Sequence, residues 1–193
     1  MNPPLARSFY SRPAVEAARA LLGKIVAHTD AHGTTAGRIV ETEAYLGAGD
    51  LAAHSARGET PRTKVIFGPP GHAYVYLIYG MYDCLNIVVE PEGVAGCVLV
   101  RALEPTDGID EMKRRRGIEK LEELANGPGK LTRAMGITLR HSGADLTRGP
   151  ITVHPPEREA EFAIAVSRRI GITKSADLPL RFYMKGNRFV SRG

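Results

Sequence analysis

Residues 71–82 hold four of the seven tyrosines of the chain, in a setting that favours β-structure. Residues 73–79 are β-branched or aromatic at almost every position, and a second run of this kind, residues 84–89, begins shortly after Gly80. Such side chains fit a pleated surface, and glycine permits a tight turn between two such runs. The stretch therefore predicts a β-hairpin.

The alternation of side chains along a strand separates these tyrosines. Tyr74 and Tyr76 share one face of the predicted strand, whereas Tyr79 lies beside the turn, where a side chain can project beyond the sheet. Ordinary aromatic packing within a sheet explains Tyr74 and Tyr76 equally well. The pattern alone leaves both interpretations open.

The composition is that of a soluble globular protein. The chain has 193 residues, 43% of them hydrophobic and 24% charged, which suits one domain, residues 1–193, with a sizeable core. No apolar run approaches the length of a membrane span and the first residues lack a signal-peptide core, so we expect a cytoplasmic protein. Cys84 and Cys97 fall in apolar runs and predict buried free thiols. A formal charge of +5 modestly favours acidic partners such as nucleic acid.

Hydrophobic periodicity and the placement of glycine and proline predict the other elements. An apolar stripe after Pro13 predicts a helix that ends at Gly23, and Asp50 is a candidate N-cap of a short helix. Loops are predicted at residues 56–70 and 150–158. Further strands are predicted at residues 25–27, 36–44, 96–101, 164–170 and 180–184, and helices at residues 106–117 and 131–135. Together they predict an α+β fold, a single mixed domain with a curved, mainly antiparallel β-sheet flanked by helices and a protruding β-hairpin.

Two carboxylates stand in the predicted strand at residues 36–44. Alternation puts Ile39, Glu41, Glu43 and Tyr45 on one face, and His54 follows shortly after. Because an unpaired carboxylate is costly to bury, this face indicates an acid/base group beside an aromatic platform or a solvent-facing edge with a charge pair. A metal site formed by Glu41, Glu43 and His54 is a third, weaker hypothesis.

Two basic features follow further along the chain. Arg101 ends the apolar strand at residues 96–101, where a charge indicates a specific use. Residues 113–116 (KRRR) lie at the C-terminal end of a predicted helix, where cations are favourable. That run fits a solvated helix face or a contact with phosphate groups.

Four segments carry a combined pattern in order along the chain: residues 38–47 (RIVETEAYLG), 53–62, 71–86 (GHAYVYLIYGMYDCLN) and 98–105 (VLVRALEP). This pattern resembles the alkyladenine (3-methyladenine) DNA glycosylase family of base-excision repair enzymes. Residues 127–131 and 179–183 also resemble it, so the likeness covers nearly the whole chain.

The resemblance implies hydrolysis of the N-glycosidic bond between a damaged purine and its deoxyribose, with water as the nucleophile and no cofactor or metal. A carboxylate suits this reaction because it can take a proton from the water and stabilise a cation-like sugar. By resemblance that carboxylate is Glu43, and Arg101 helps to hold the water and the nearby DNA backbone. The implied enzyme is monofunctional and leaves an abasic site.

The resemblance also assigns residues to recognition of double-stranded DNA containing damaged purines by a monomer. The target base must be flipped out of the stack, and Tyr79 would insert into the vacated space. Tyr45 and His54 would form one wall of the base pocket and Tyr76 the other. Asn86 would crowd the amino group of a guanine.

Two departures from the family pattern concern Thr63, where many relatives have asparagine, and Asp83, which is unexpectedly acidic near phosphates. Two other functions stay open on the sequence alone. One is a catalytically silent binder of damaged DNA, and the other is a hydrolase of free nucleosides. The sequence does not rank 3-methyladenine, 7-methylguanine, hypoxanthine and etheno-adenine as substrates.

Overall fold

A computed structural model describes residues 1–191, in which eight β-strands form one curved antiparallel sheet with short helices packed against it. The strands are β1 (Ile25–Asp30), β2 (Gly33–Leu46), β3 (Ala73–Ile78), β4 (Tyr82–Val88), β5 (Gly96–Asp107), β6 (Ile151–His154), β7 (Ile164–Ser167) and β8 (Arg181–Met184). The helices are α1 (Arg7–Tyr10), α2 (Ala14–Leu21), α3 (Ile109–Arg116) and α4 (Pro128–Met135). The predicted α+β class is confirmed.

The long strand β2 is the centre of the sheet. It pairs with β5 along one edge, and along the other edge with β1 and then, at residues 41–43, with β8. Strands β4 and β3 extend the sheet beyond β5, and β6 pairs with β1. Because β2 is held from both edges, residues 39–44 are all buried.

The pairing of β2 with β5 is irregular near the two glutamates, with register shifts on either side of Glu41. Such a bulge interrupts the strict alternation of side chains along a strand. Ile39 therefore packs in the main hydrophobic core together with Val40. The prediction that Ile39 shares a face with Glu41 is wrong for this reason.

Helix α2 packs its small apolar face against β2. Pro13 occupies the N-cap position, and the fully buried residues recur at helical spacing: Ala14, Ala17, Ala18 and Leu21. Thr42 Oγ1 on β2 donates a hydrogen bond of 2.9 Å to the carbonyl of Ala18. The predicted helix and its end before Gly23 are confirmed.

The predicted hairpin is formed by β3 and β4, which pair from Ala73 opposite Ile87 to Ile78 opposite Tyr82. Helix α4 supports its second strand, because Thr132 Oγ1 donates a hydrogen bond of 2.8 Å to the carbonyl of Asp83. Residues 79–81 at the tip are exposed. The hairpin thus combines a supported base with an exposed tip.

Strand β5 extends further than the sequence predicts. It continues to Asp107, so Arg101 lies in the middle of a strand rather than at its end, and Thr106 does not begin a helix. Arg101 is compatible with a strand interior because carboxylates on β2 neutralise its charge. Helix α3 begins only after Gly108, whose left-handed conformation at φ +65° ends the strand.

Two predicted loops contain ordered structure. Residues 151–154 form β6, because Ile151 and Val153 bury their side chains in the main core. Within residues 56–70, a turn of 3-10 helix buries Ile66 against Tyr74 in a second apolar cluster.

Asp50 does not cap a helix. Its carboxylate accepts hydrogen bonds from the backbone N–H groups of Leu46 and Ala52 and pairs with the guanidinium of Arg169. A 3-10 helix begins instead at His54. The Asp50 carboxylate is fully buried, and an unpaired buried charge is costly. It therefore pairs with a cation instead of capping a helix.

Cys84 and Cys97 are both buried free thiols, which confirms that prediction. Within residues 1–191, no helix combines the length and apolar character needed to cross a membrane.

The turn that leads into β3 depends on Gly71. This residue has φ +80°, and a Cβ atom added to it would lie 2.7 Å from the buried ring of Tyr10. Gly186 has nearly the same φ, +79°, with no atom within 4 Å of the added Cβ position. We expect Gly186→Ala to lower the free energy of unfolding by about 1–2 kcal/mol through backbone strain, and Gly71→Ala by a further ~1–3 kcal/mol through overpacking.

Urea unfolding of both variants measures this difference. Equal losses of stability in the two variants would contradict the close packing of Tyr10 against Gly71.

Candidate active site

A buried cluster of charged side chains forms where β2 and β5 pair. Arg101 Nε lies 3.0 Å from Glu41 Oε1, and Arg101 Nη1 lies 3.3 Å from Glu43 Oε1. Both glutamates are fully buried, and Arg101 is nearly so. The structure therefore brings together the two predicted catalytic residues, Glu43 and Arg101, and adds Glu41 to them.

Glu41 is surrounded by hydrogen-bond donors. Arg181 Nε donates to its Oε1 at 2.6 Å, and the hydroxyl of Ser191 donates to the same oxygen at 2.9 Å. The backbone N–H of Ser191 donates to Oε2 at 2.7 Å. Together with Arg101, these groups satisfy the carboxylate from several sides. Such saturation is typical of a structural ion pair and leaves little capacity to accept a proton from water.

Glu43 has fewer donors and a different electrostatic setting. The backbone N–H of Ile170 donates to Oε1 at 2.8 Å, and the hydroxyl of Tyr45 donates to Oε2 at 3.0 Å. Burial raises the pKa of Glu43 and repulsion from Glu41 adds to this, although Arg101, Ile170 and Tyr45 oppose the rise. A carboxylate whose pKa is raised toward neutrality is a stronger base than an exposed one.

Next to this cluster lies a cavity of about 180 Å³ whose lining includes all four predicted base-binding residues: Tyr45, His54, Tyr76 and Asn86. The ring of Tyr76 stacks on Tyr74, with centroids 5.6 Å apart and planes at 30°. His54 lies edge-on to Tyr76, with centroids 4.5 Å apart and planes at 77°. The hairpin and the segment after β2 thus meet around one aromatic cavity.

His54 lies against Tyr76, whereas the family resemblance implies that it forms the opposite wall together with Tyr45. Its Nδ1 lies 2.9 Å from the hydroxyl of Tyr74, which holds the imidazole against the tyrosines of β3. No base fits between two rings whose centroids are 4.5 Å apart. Burial, helped by the charge of Arg62, lowers the pKa of His54, so the imidazole is neutral at pH 7.

The carboxamide of Asn86 is fixed at the inner end of the cavity. Its Nδ2 donates to the carbonyl of Tyr74 at 3.2 Å, and its Oδ1 lies 3.8 Å from the Sγ of Cys97. A buried amide held at both ends presents a defined pattern of donors and acceptors to any ligand.

Tyr79 is at the tip of the hairpin and is 79% exposed. Its φ of +53° is unusual for a residue other than glycine and turns the side chain away from the sheet. A second cavity of about 260 Å³ is lined by Tyr79 and Arg101 and shares Tyr45 and Tyr76 with the first. A continuous concave surface therefore runs from the exposed tip to the buried charges.

The metal hypothesis finds no support in the geometry. Nowhere in residues 1–191 do three histidine, cysteine, aspartate or glutamate side chains come together as a set of metal ligands. His54 is engaged by Tyr74, while Glu41 and Glu43 face arginines.

The basic run at residues 113–116 is held by partners within the protein. Arg114 and Arg115 both pair with Glu111, at 2.6 and 2.7 Å, and Arg115 also pairs with Asp30 at 2.7 Å. Lys113 pairs with Glu119 at 3.0 Å, which favours the interpretation as a solvated helix face over a contact with phosphates.

Two residues of the site carry no clear signal in the sequence. Ile170 contributes a backbone N–H, which no pattern of side chains predicts. Arg169 stands in a segment predicted only as a strand. The available signal for Arg169 was a charge in a predicted strand, which indicates a specific use, and the same signal applied to Arg101.

Comparison with known proteins identifies the family of the chain. Residues 8–188 match the family described as Methylpurine-DNA glycosylase. A protein of Methanoculleus marisnigri is 55% identical over 192 residues, 97% of this chain and 98% of its own. Proteins of Chlorobium phaeobacteroides and Rhodopseudomonas palustris strain HaA2 are 50% and 47% identical, over 97% and 99% of this chain and 94% and 92% of their own. All three are provisionally named 3-methyladenine DNA glycosylases.

The chain therefore belongs to the methylpurine-DNA glycosylase family, and the resemblance drawn from the sequence is confirmed.

The two glutamates should differ in their effect on stability. Glu41→Gln removes the charge that two arginines share, and breaking a buried ion pair of this kind costs roughly 3–5 kcal/mol. The raised pKa of Glu43 means that its ionised form opposes folding at pH 7, so Glu43→Gln should leave stability unchanged or slightly higher. Urea unfolding at pH 7 tests this contrast, and a loss in Glu43→Gln as large as in Glu41→Gln would contradict it.

Proposed function

We propose that the protein is a DNA glycosylase of base-excision repair that hydrolyses the N-glycosidic bond of alkylated or deaminated purines in duplex DNA. The observation that carries this proposal is the placement of Glu43. A buried carboxylate with a raised pKa lies beside Arg101 and accepts a hydrogen bond from the hydroxyl of Tyr45. Tyr45 lines the aromatic cavity, and Arg101 lines a second cavity that reaches the exposed Tyr79.

The first step is extrusion of the damaged nucleotide. The bond to be broken is inaccessible in a stacked duplex, and unstacking a base costs a few kcal/mol. Tyr79, exposed at the tip of a supported hairpin, inserts into the gap and offsets part of this cost. The flipped base enters the cavity lined by Tyr45 and Tyr76.

Selection of the base rests on the aromatic rings and on Asn86. Alkylated purines often carry a positive charge, and electron-rich rings attract such a cation by about 0.5–2 kcal/mol. The fixed amide of Asn86 crowds the amino group of a normal guanine. The neutral imidazole of His54 adds no positive charge that would repel a cationic base.

In the chemical step, Glu43 takes a proton from water as the water oxygen bonds to C1′ of the sugar. The C1′–N9 bond breaks and its electron pair leaves with the base, so a purine that is already cationic departs as a neutral molecule. Glu43 also stabilises the cation-like sugar, and Arg101 holds the carboxylate and the water. The product is DNA with an abasic site.

The enzyme is monofunctional in this proposal. Lyase activity of glycosylases needs an amine that forms a Schiff base with the sugar. Among the described residues, no lysine lines either of the two cavities. We further propose that residues 1–193 act as one glycosylase domain and as a monomer.

Base release tests the proposal directly. Wild type should release the base from duplexes that carry one 7-methylguanine, etheno-adenine or hypoxanthine, without cutting the strand. In Glu43→Gln the single-turnover rate should fall by roughly 100-fold or more while duplex binding persists, because the amide accepts no proton. Tight binding without release by wild type would identify a silent binder, and release only from free nucleosides would identify a nucleoside hydrolase.

The insertion of Tyr79 is tested against its neighbour Met81, which is 67% exposed at the same tip. Tyr79→Ala should weaken binding to the damaged duplex by about 1–3 kcal/mol, the range of a base–aromatic stack. Met81→Ala removes exposed apolar surface at the same tip but no aromatic ring, and it should cost clearly less. Equal effects of the two substitutions on affinity would remove Tyr79 from the intercalating role.

A further inference from the structure

Arg169 is a fully buried arginine beside the site that the proposed mechanism does not use. Its Nη1 lies 2.6 Å from Asp50 Oδ2 and its Nη2 lies 2.8 Å from Asp50 Oδ1, a two-bond pairing of planar groups. Both side chains have no exposed surface. The pair links the segment after β2 to the segment after β7, which are far apart in the sequence.

Arg169 Nη2 also donates to the carbonyl of Ser175 at 3.3 Å, and two further contacts of Arg169 lead toward the site. Its Cζ lies 4.5 Å from the centroid of the Tyr45 ring, so the guanidinium covers one face of the ring and leaves the other for the cavity. Its Nη1 also donates to the carbonyl of Ala44 at 3.0 Å, between Glu43 and Tyr45. The next residue, Ile170, provides the N–H that donates to Glu43.

We propose that Arg169, anchored by Asp50, is a positioning residue that holds both the ring of Tyr45 and the carboxylate of Glu43 in place for base excision. Arg169 touches neither the base nor the sugar and acts through these two residues. The inference depends on the proposed glycosylase function and deepens it.

Stability alone does not account for this pair. A buried ion pair is seldom more stabilising than well-packed apolar side chains of the same volume. In addition, Arg169 Nε is buried without a hydrogen-bond partner within residues 1–191, which is a cost to the fold. Arginine suits the geometry because only its planar fork can bond two carboxylate oxygens while it stacks on a ring.

Asp50 also holds the backbone of the segment that leads to His54. It accepts hydrogen bonds of 3.1 Å from the N–H groups of Leu46 and Ala52, and Ala52 lines the cavity just before His54. Loss of the pair therefore loosens the segment that carries His54 as well as the ring of Tyr45.

The test uses the double variant Asp50→Asn/Arg169→Gln, which leaves no unpaired buried charge. The control is Arg7→Gln/Asp145→Asn, because Arg7 and Asp145 form an arginine–aspartate pair at 2.7 Å that is more exposed than the site pair and lines neither cavity. We expect single-turnover release of 7-methylguanine to fall about 10- to 100-fold in the site variant, as for a small misplacement of reacting groups. Affinity for the duplex should change by less than about threefold, and the control should release at the wild-type rate.

A pH profile separates positioning from general loss of structure. When Arg169 is lost, the N–H of Ile170 no longer holds Glu43, which removes an interaction that lowers the pKa of this carboxyl. Arg101, Tyr45 and Glu41 still face Glu43, so the acid limb of the rate profile should move to higher pH without disappearing. Arg169→Lys keeps the charge, so its release rate should lie between those of the double variant and the wild type. It replaces the double variant in this test if the double variant does not fold.

A wild-type rate and an unchanged acid limb in the site variant, at a loss of stability equal to that of the control, would overturn the inference. An equal fall in rate in the control variant would overturn it as well. Absence of release by the wild-type protein itself would overturn the proposed function, and the inference with it.

Discussion

The site depends on the pairing of the Arg101 guanidinium with the carboxylates of Glu41 and Glu43. The guanidinium bridges two carboxylates that β2 places close together in the buried interior, where like charges repel strongly. Arg181 and Ser191 supply further donors to Glu41 alone. Burial, together with repulsion from Glu41, then leaves the pKa of Glu43 raised. One carboxylate thus secures the sheet, and the other is the one to which the proposed function assigns the role of base.

The fold keeps the stable and the exposed parts of the site on separate elements. Glu43 and Arg101 stand on the two most extensively paired strands, whereas Tyr79 lies at an exposed hairpin tip. Under the proposed function the tip enters DNA, which calls for exposed apolar surface. This surface and the uncommon backbone conformation of Tyr79 both reduce stability. The supporting helix α4 confines this cost to the last residues of the hairpin.

Local sequence patterns predicted the hairpin, helix α2 and the α+β class, because periodicity and turn residues report directly on burial. The family resemblance named Tyr45 and Tyr76 as walls of a base pocket, and both line one cavity. Spacing could not distinguish Glu43 from Glu41. The bulge beside Glu41, which moved Ile39 into the core, depends on the partner strand and leaves no trace in β2 itself. The pairing of Asp50 with Arg169 joins residues 119 positions apart, which no local pattern can foresee.

The central claim is that Glu43 acts as an ionised base with a raised pKa. The most direct test is the pH dependence of single-turnover release from a duplex carrying one 7-methylguanine, which is already cationic and needs no proton to leave. The rate should rise with pH along one ionisation whose apparent pKa lies above the ordinary glutamate value of 4.5, and Glu43→Gln should lack this ionisation. The same acid limb in both proteins, or no acid limb in wild type, would contradict the account.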